Sequence, residues 1–493
     1  MLNTLKKINQ NRKSFLQSKK KQNLLFALLL FISVKTNAQW QQDFRLTNDP
    51  ANSGTSPNNE WCIAASGNFV HVVWYDERDG NKEIYYKRSA DEGVTWGPDI
   101  RLTNQISTSS NPSISVSGQV VHVVWFDGRD GNYEIYYKSS VDDGVTWGAD
   151  NRLTNDPALS EFPSVAVSGS AVHVVWHDNR DGDYEIYNKN SSDGGVTWGA
   201  DTRLTNNPSF SYQPSVSVAD SIVHVVWYDN RDGNMEIYYK RSADRGLSWG
   251  ADTRLTNDPE YSGDPSIAVS GSNVHVVWSD QRDGFLINEI YYKNSTDGGI
   301  TWGADTRLTF ALNFASFPSV SVSDSNVHVV WNDLRDGWDL EVYYKYSSDG
   351  GLNWQPDIRL TNDTNVSEYA SVTVSNSAVH IVWADYRDGN PEIYYKRDPS
   401  GNPVGTAELF KDDSFYLFPN PAIDNFTLTL NSLPILSRHA LEIKIFNVLG
   451  ENIYTGSLHT KSQLINCNSF PSGIYFVVVE NGDIRMQKKI IKE

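Results

Sequence analysis

Val70-His71-Val72-Val73-Trp74-Tyr75-Asp76-Glu77-Arg78-Asp79-Gly80, running on to Glu83-Ile84-Tyr85-Tyr86-Lys87, is written seven times with small changes, its histidine returning as His122, His173, His224, His275, His328 and His380. The steps between these histidines are 51, 51, 51, 51, 53 and 52 residues. A fixed period of that length in strand-rich units predicts stacked supersecondary units arranged as a propeller. One copy cannot bury its own apolar faces. The array is therefore one object, and its function belongs either to the whole or to what breaks its symmetry.

Each copy carries four strand signals in constant order. In the second, Pro112 to Ser117 alternates, and Gln119 to Phe126 is almost continuously apolar, as a strand covered on both faces must be. Glu134 to Ser139 is the third strand, and Thr146-Trp147 leads through a turn into Arg152-Leu153-Thr154 as the fourth. The expected fold is all-β: a seven-bladed β-propeller over residues 39–398. The seventh copy runs into Pro399-Ser400-Gly401-Asn402-Pro403, a linker (399–412), before its fourth strand. That strand is found at the other end, where Trp40 to Asn48 aligns with Trp96 to Asn104. The reading is ring closure, with residues 40–48 completing the last blade and leaving no open edge.

Between the third and fourth strands, Ser89-x-Asp91-x-Gly93-x-Thr95-Trp96 recurs around Asp142, Asp193, Asp244, Asp297 and Asp349. The carboxylate suits turn N–H groups, the glycine permits positive φ, and the tryptophan is expected to cover the hairpin. This pattern resembles the Asp-box, or bacterial neuraminidase repeat, of sialidase-like propellers. The resemblance implies a structural motif on the face opposite the active one.

Residues 1–38 read as an export signal: a basic stretch, an apolar run from Leu24 to Val34 too short to span a bilayer, and Thr36-Asn37-Ala38 as a small-residue cleavage site. Without them the chain has 34 basic and 60 acidic residues, a net charge of −26. That argues against nucleic-acid or anionic-membrane partners. Cys62 and Cys467, the two cysteines, lie in separate predicted domains, so stability must come from packing.

Beyond the linker the period vanishes. Residues 413–493 hold short alternating strands (Phe426–Leu430, Leu441–Val448, Asn452–Tyr454, Gly473–Val479) that predict a small Ig-like β-sandwich. Phe418-Pro419-Asn420-Pro421-Ala422, Ile445 to Gly450, Pro471 to Tyr475 and Lys488 to Lys492 resemble the C-terminal sorting domain of the type IX secretion system. The resemblance implies export across a Gram-negative outer membrane, through the type IX machinery acting on residues 413–493.

Three residue sets compete for function. The repeated histidines sit mid-strand, one per copy, too dispersed to share an ion, and no metal or cofactor is expected. The Asp-x-Arg-Asp-Gly loops place Arg78, Arg129, Arg180, Arg231, Arg282, Arg335 and Arg387 on the face opposite the Asp-boxes. These arginines are a candidate ring for a carboxylate ligand, or else hairpin arginines paired with their own or the next blade's aspartate. Finally, the connection from each fourth strand to the next copy varies. It holds Glu60, Trp61, Glu161, Phe162, Tyr212, Glu260, Tyr261, Asp264, Phe314, Glu368 and Tyr369. Phe285-Leu286-Ile287 and Trp338 are further departures. A glycosidase needs one acid and one nucleophile in unlike environments, so its residues must stand out from the repeat. The candidate pairs are Glu260 with Tyr261 and Glu368 with Tyr369. Phe44-Arg45-Leu46-Thr47 is similar to a sialidase motif, but Arg45 is the first of seven equivalent arginines.

The expected role is an extracellular, monomeric binding module for glycan or protein. A sialidase-like exo-glycoside hydrolase is the alternative.

Overall fold

In the computed structural model, residues 40–493 are described except 57–61, 285–286, 311–313, 338, 377, 401–414, 431–440, 448–451, 459 and 481–484. The signal segment 1–38, nearly all of the linker, Glu60, Trp61, Phe285, Leu286 and Trp338 lie outside the described residues.

No helix occurs among the described residues, and seven antiparallel sheets follow the repeat. The second sheet represents the rest, with Ser109–Ser117, Val120–Asp127, Glu134–Ser140 and Asn151–Arg152 pairing in sequence order. Its second strand is buried over Val121–Asp127, which explains the unbroken apolar run. The innermost strand of each sheet packs against that of the next, and Ser367–Ser375 of the seventh packs against Ile63–Ser66 of the first, closing a circle.

Each joint between sheets holds one apolar cluster. Val124, Ile135 and Tyr137 of the second sheet, for instance, meet Val165, Val172, Val174 and Trp176 of the third. At the joint of the seventh and first sheets, Val382, Ile393 and Tyr395 meet Val70, Val72 and Trp74, with Leu46 of the N-terminal segment among them. Phe44–Arg45 pairs with Glu392–Asp398 in the register Phe44↔Tyr395, Arg45↔Tyr394, as Asn151–Arg152 pairs with Tyr137 and Tyr136 in the second sheet. The charge pairs match too: Asp43 meets Arg387 at 2.8 Å and Lys396 at 2.8 Å, as Asp150 meets Arg129 at 2.6 Å and Lys138 at 2.8 Å.

The innermost strands are longer than the alternation predicts. They begin at Ser109, Ser160, Ser211, Ser262, Ala315 and Ser367, three residues before the proline that five of them contain and before Ala370 in the last. A β-bulge interrupts each, and the bulged residue has positive φ: Asn111 51°, Phe162 55°, Gln213 45°, Asp264 52°, Phe317 52°, Tyr369 54°. Five of these precede a proline, which lacks the donor a regular ladder requires and is tolerated at a bulge.

The C-terminal residues form a three-stranded and a four-stranded sheet. Phe415, Phe426, Leu428, Ile443, Ile445, Ile465, Val477 and Val479 pack into one core between them. Cys62 and Cys467 are both buried, in separate clusters.

Candidate functional site

The repeated loops are fully committed within their own sheets. Arg129 donates from Nε and Nη2 to Asp127 at 2.8 and 2.6 Å and from Nη1 to Asp150 at 2.6 Å. Its guanidinium lies 4.3 Å from the centroid of the Tyr136 ring. Asp127 also accepts from Trp125 Nε1 at 2.9 Å and the Ser109 hydroxyl at 2.8 Å. Arg78, Arg180, Arg231, Arg282, Arg335 and Arg387 repeat the pair on Asp76, Asp178, Asp229, Asp280, Asp333 and Asp385. Each guanidinium is thus held between two aspartates of its own sheet. Bidentate geometry with a buried carboxylate is a strong interaction, and here it cross-links the second, third and fourth strands.

The opposite face carries the Asp-boxes. Asp142 accepts from the Thr146 backbone N–H at 2.8 Å, the Thr146 hydroxyl at 2.7 Å and the Ser140 hydroxyl at 2.8 Å. These bonds hold its carboxyl down to about 2, as they do for Asp193 with Thr197 and Ser191. Asp91, Asp244, Asp297 and Asp349 repeat the arrangement. The tryptophan does more than cover its hairpin. Trp147 stands edge-on to Tyr86 of the preceding sheet at 4.8 Å, so the motif also joins neighbours. Trp40, from the N-terminal segment, stands the same way on Tyr344 at 5.0 Å.

The repeated histidines are core residues. His71, His122, His224, His275, His328 and His380 each hydrogen-bond a tyrosine hydroxyl through Nδ1 at 2.6–2.8 Å. Burial lowers them to about 3 or 4, so they are neutral at pH 7. His173 differs: Asn188 stands where the other copies have tyrosine, and although both are buried, neither side chain has a hydrogen-bond partner among the described residues.

What varies between copies gathers around the axis on the face opposite the Asp-boxes. Glu161, Phe162, Tyr212, Asp264, Glu368 and Tyr369, read from sequence as loop residues, lie within the innermost strands. The bulges hid this, because they break the period-2 signal. Aromatic rings form a linked track across the second to fifth sheets. Phe126 lies 4.8 Å from Tyr133 and 6.1 Å from Phe162. His177 then meets Phe162 at 4.8 Å, Tyr184 at 4.9 Å and Tyr212 at 5.4 Å. Tyr212 meets Tyr228 at 5.7 Å, and Tyr228 meets Tyr261 at 6.4 Å. These separations fall in the range where aromatic pairs attract.

Acids stand among the rings. Glu161 accepts from Tyr184 at 3.3 Å and lies 3.9 Å from His177 Nε2. Burial lowers His177, against the opposing pull of Glu161. Asp264 is buried and pushed up to about 6, with a hydrogen bond to Ser279 partly offsetting the burial. Its charge is felt by Tyr228, Tyr261 and Tyr369. Tyr386 donates to Glu368 at 3.0 Å, and burial raises Glu368.

The predicted pairs are therefore redistributed. Glu260 is exposed beyond the strand end, whereas Tyr261 folds inward across Gly263, where a Cβ would lie 1.9 Å from its hydroxyl oxygen. The Tyr369 ring packs on Phe317 at 5.1 Å, and its N–H donates to Asn332 at 3.1 Å, so the tyrosine that hydrogen-bonds Glu368 is Tyr386. Sequence reasoning missed His177, Tyr184, Tyr228 and Tyr386 in this set. The available signal was the position four residues after each repeated histidine, which reads Tyr75, Phe126, His177, Tyr228, Ser279, Asn332 and Ala384 within an otherwise repeated strand. Among the described residues, no three His, Cys, Asp or Glu side chains are placed to hold a metal ion, and no helix is long and apolar enough to cross a membrane.

Two families match the chain: the BNR repeat-like domain over residues 165–381 and the secretion system C-terminal sorting domain over residues 416–493. No curated protein matches it. Among solved structures, polysaccharide lyase Uly1 aligns with a TM-score of 0.53 at 10% identity, covering 73% of this chain and 99% of that one. A protein of unknown function from Dyadobacter fermentans aligns at 0.49 with 13% identity, covering 73% and 98%. Trypanosoma rangeli sialidase aligns at 0.45 with 11% identity, covering 80% and 85%. At such identities the likeness speaks for the fold alone. Seven sheets closed in a circle, with a BNR repeat-like domain matched over residues 165–381 and a secretion sorting domain over residues 416–493, make the chain an all-β propeller whose sorting domain implies a secreted or cell-surface location.

Proposed function

We propose that the chain is an extracellular binding module that takes glycan on the axial face opposite its Asp-boxes. One observation carries this reading: the residues that differ between copies converge there as a linked track of rings with acids between them, while the repeated arginines are held by aspartates of their own sheets. Aromatic faces pack against the apolar faces of sugar rings, and carboxylates and amides accept or donate to hydroxyls. The sorting domain would deliver the propeller through the type IX machinery to the medium or the outer-membrane surface, and the closed ring of sheets suits a monomer.

The experiment is a glycan array probed with residues 39–493, wild type and Tyr212→Ala. Removing a central ring should weaken any genuine hit by about tenfold or more. An array with no hits, or hits indifferent to Tyr212→Ala, would count against the axial site.

A second reading, a sialidase-like exo-glycoside hydrolase, draws support from the protonatable Asp264 and the Tyr386–Glu368 pair on the same face. The commitment of all seven loop arginines weighs against it, because a free anion receptor is then lacking among them. Turnover of a fluorogenic glycoside that disappears in both Asp264→Asn and Tyr386→Phe would establish the hydrolase.

A further inference from the structure

The loops of the third and fourth sheets are tied down by an asparagine that the second sheet lacks. Asn179 Oδ1 accepts the backbone N–H of Leu159 at 2.7 Å, and Asn230 Oδ1 accepts that of Phe210 at 2.8 Å. The equivalent residue in the second sheet is Gly128, so the approach to Ser109 has no such tie, and Ile106 there is 99% exposed. A cleft of about 810 Å³ opens at this point between the first and second sheets. That volume lies within the roughly 300–1,000 Å³ of ligand sites.

The cleft walls are chemically specific. Phe126 and Tyr133 form one side, and Phe126 continues into the axial track. Asn111, Asn52, Glu77 and Lys82 supply polar groups. Asn52 Nδ2 donates to Glu77 at 2.8 Å, and the Lys82 ammonium lies 4.2 Å from the Tyr75 ring centroid. Among the described residues Lys82 has no ion-pair partner, and the other copies place Tyr133, Tyr184, Met235, Asn288, Leu340 and Pro391 at its position. One cation and one anion leave the cleft without net charge, and the strongly negative chain repels polyanions.

The geometry points to this cleft as a subsite for a neutral oligosaccharide, stacked on Tyr133, which Phe126 backs from the core, and hydrogen-bonded through its hydroxyls by Lys82, Glu77 and Asn111. The proposal rests on the glycan-binding reading above and adds where the chain of sugars enters and what its charge is.

The test measures binding of labelled neutral hexasaccharides (β-1,4-glucan, β-1,3-glucan, xylan and mannan series) and of oligogalacturonate to residues 39–493. Wild type is compared with Gly128→Asn, Tyr133→Ala, Lys82→Ala and Tyr212→Ala. Gly128→Asn installs the side chain of the third and fourth sheets, with its Cβ 3.3 Å from Tyr133 Cε1, and its melting is measured beside its binding so that a folding defect is told apart from a closed cleft. At least one neutral series should bind, with Gly128→Asn and Tyr133→Ala each weakening it by about tenfold. Neutral binding that is lost in Tyr212→Ala but unchanged in Gly128→Asn and Tyr133→Ala overturns the cleft and leaves the axial reading standing. Binding confined to oligogalacturonate and lost in Lys82→Ala overturns the neutral class. Binding of no glycan at all removes both readings.

Discussion

Asn188→Tyr should stabilise the propeller. In six sheets a tyrosine on the third strand bonds the repeated histidine, and five of these rings receive the edge of an Asp-box tryptophan from the next sheet at 4.8–5.0 Å. The third sheet has Asn188 instead. Its two amide atoms and both nitrogens of His173 are buried without partners among the described residues, and Trp249 lacks the tyrosine it would face. Gly246 lacks a Cβ as Gly195 does beneath the Tyr137 hydroxyl, but His173 Cε1 stands 3.3 Å from where that Cβ would be, so the new ring requires His173 to draw back. Restoring the hydrogen bond contributes about 1 kcal/mol, and removing an unpartnered buried amide about 1 kcal/mol more. The edge-on ring contact adds about 1 kcal/mol. A gain of about 3 kcal/mol over a domain of this size raises Tm by about 4 °C. Calorimetry and guanidinium unfolding of residues 39–493 would read it, with Tyr137→Asn as the opposite change, expected to fall by a similar amount. If Asn188→Tyr melts at or below wild type while Tyr137→Asn is destabilised, the third sheet has no room for the ring and the reasoning fails.

Asp264→Asn should separate from wild type only as pH rises. Burial lifts the folded pKa to about 6, so the unfolded chain ionises first and wild-type stability falls between about pH 4 and 6. The advantage of the variant should grow from near zero at pH 4 to as much as about 3 kcal/mol at pH 7, and a pH-independent difference would contradict it. The repeated histidines act in the opposite sense. Their folded pKa values lie at about 3 or 4, so the stability present above their ordinary pKa of about 6.5 is lost as pH falls. His122→Gln should flatten the decline of Tm between pH 7 and 4, and an unchanged slope would show that His122 does not titrate on unfolding. Deleting residues 40–48 uncovers the Glu392–Asp398 strand, and light scattering should report association. A monomer melting like the full chain would refute that.

The large-scale order of this protein is legible because it is repeated. A period near 50 residues, four strand signals per period and Asp-boxes at one spacing reinforce one another, so no single misread residue alters the fold. The site is different in kind. Its residues are legible only as departures from the repeat, and departures carry no pattern of their own. Glu161, Tyr212, Asp264 and Glu368 stood out as unlike residues, but their strand positions were masked by the bulges before Pro163, Pro214 and Pro265. His177 and Tyr228 lie in an apolar strand and carry no pattern of their own, and only the closed ring brings Phe162 and Tyr212 beside His177. The raised pKa of Asp264 was beyond sequence reading for the same reason, since burial by other sheets causes it.

The central claim is that function lies with the unlike axial residues and not with the repeated ones. Titration calorimetry of residues 39–493 with the strongest glycan hit tests it, comparing Tyr212→Ala on the axial face with Asp193→Ala in an Asp-box on the opposite face. The account predicts that Tyr212→Ala loses about tenfold or more in affinity while Asp193→Ala binds as wild type does. Equal affinity in all three proteins, or a loss confined to Asp193→Ala, would contradict it.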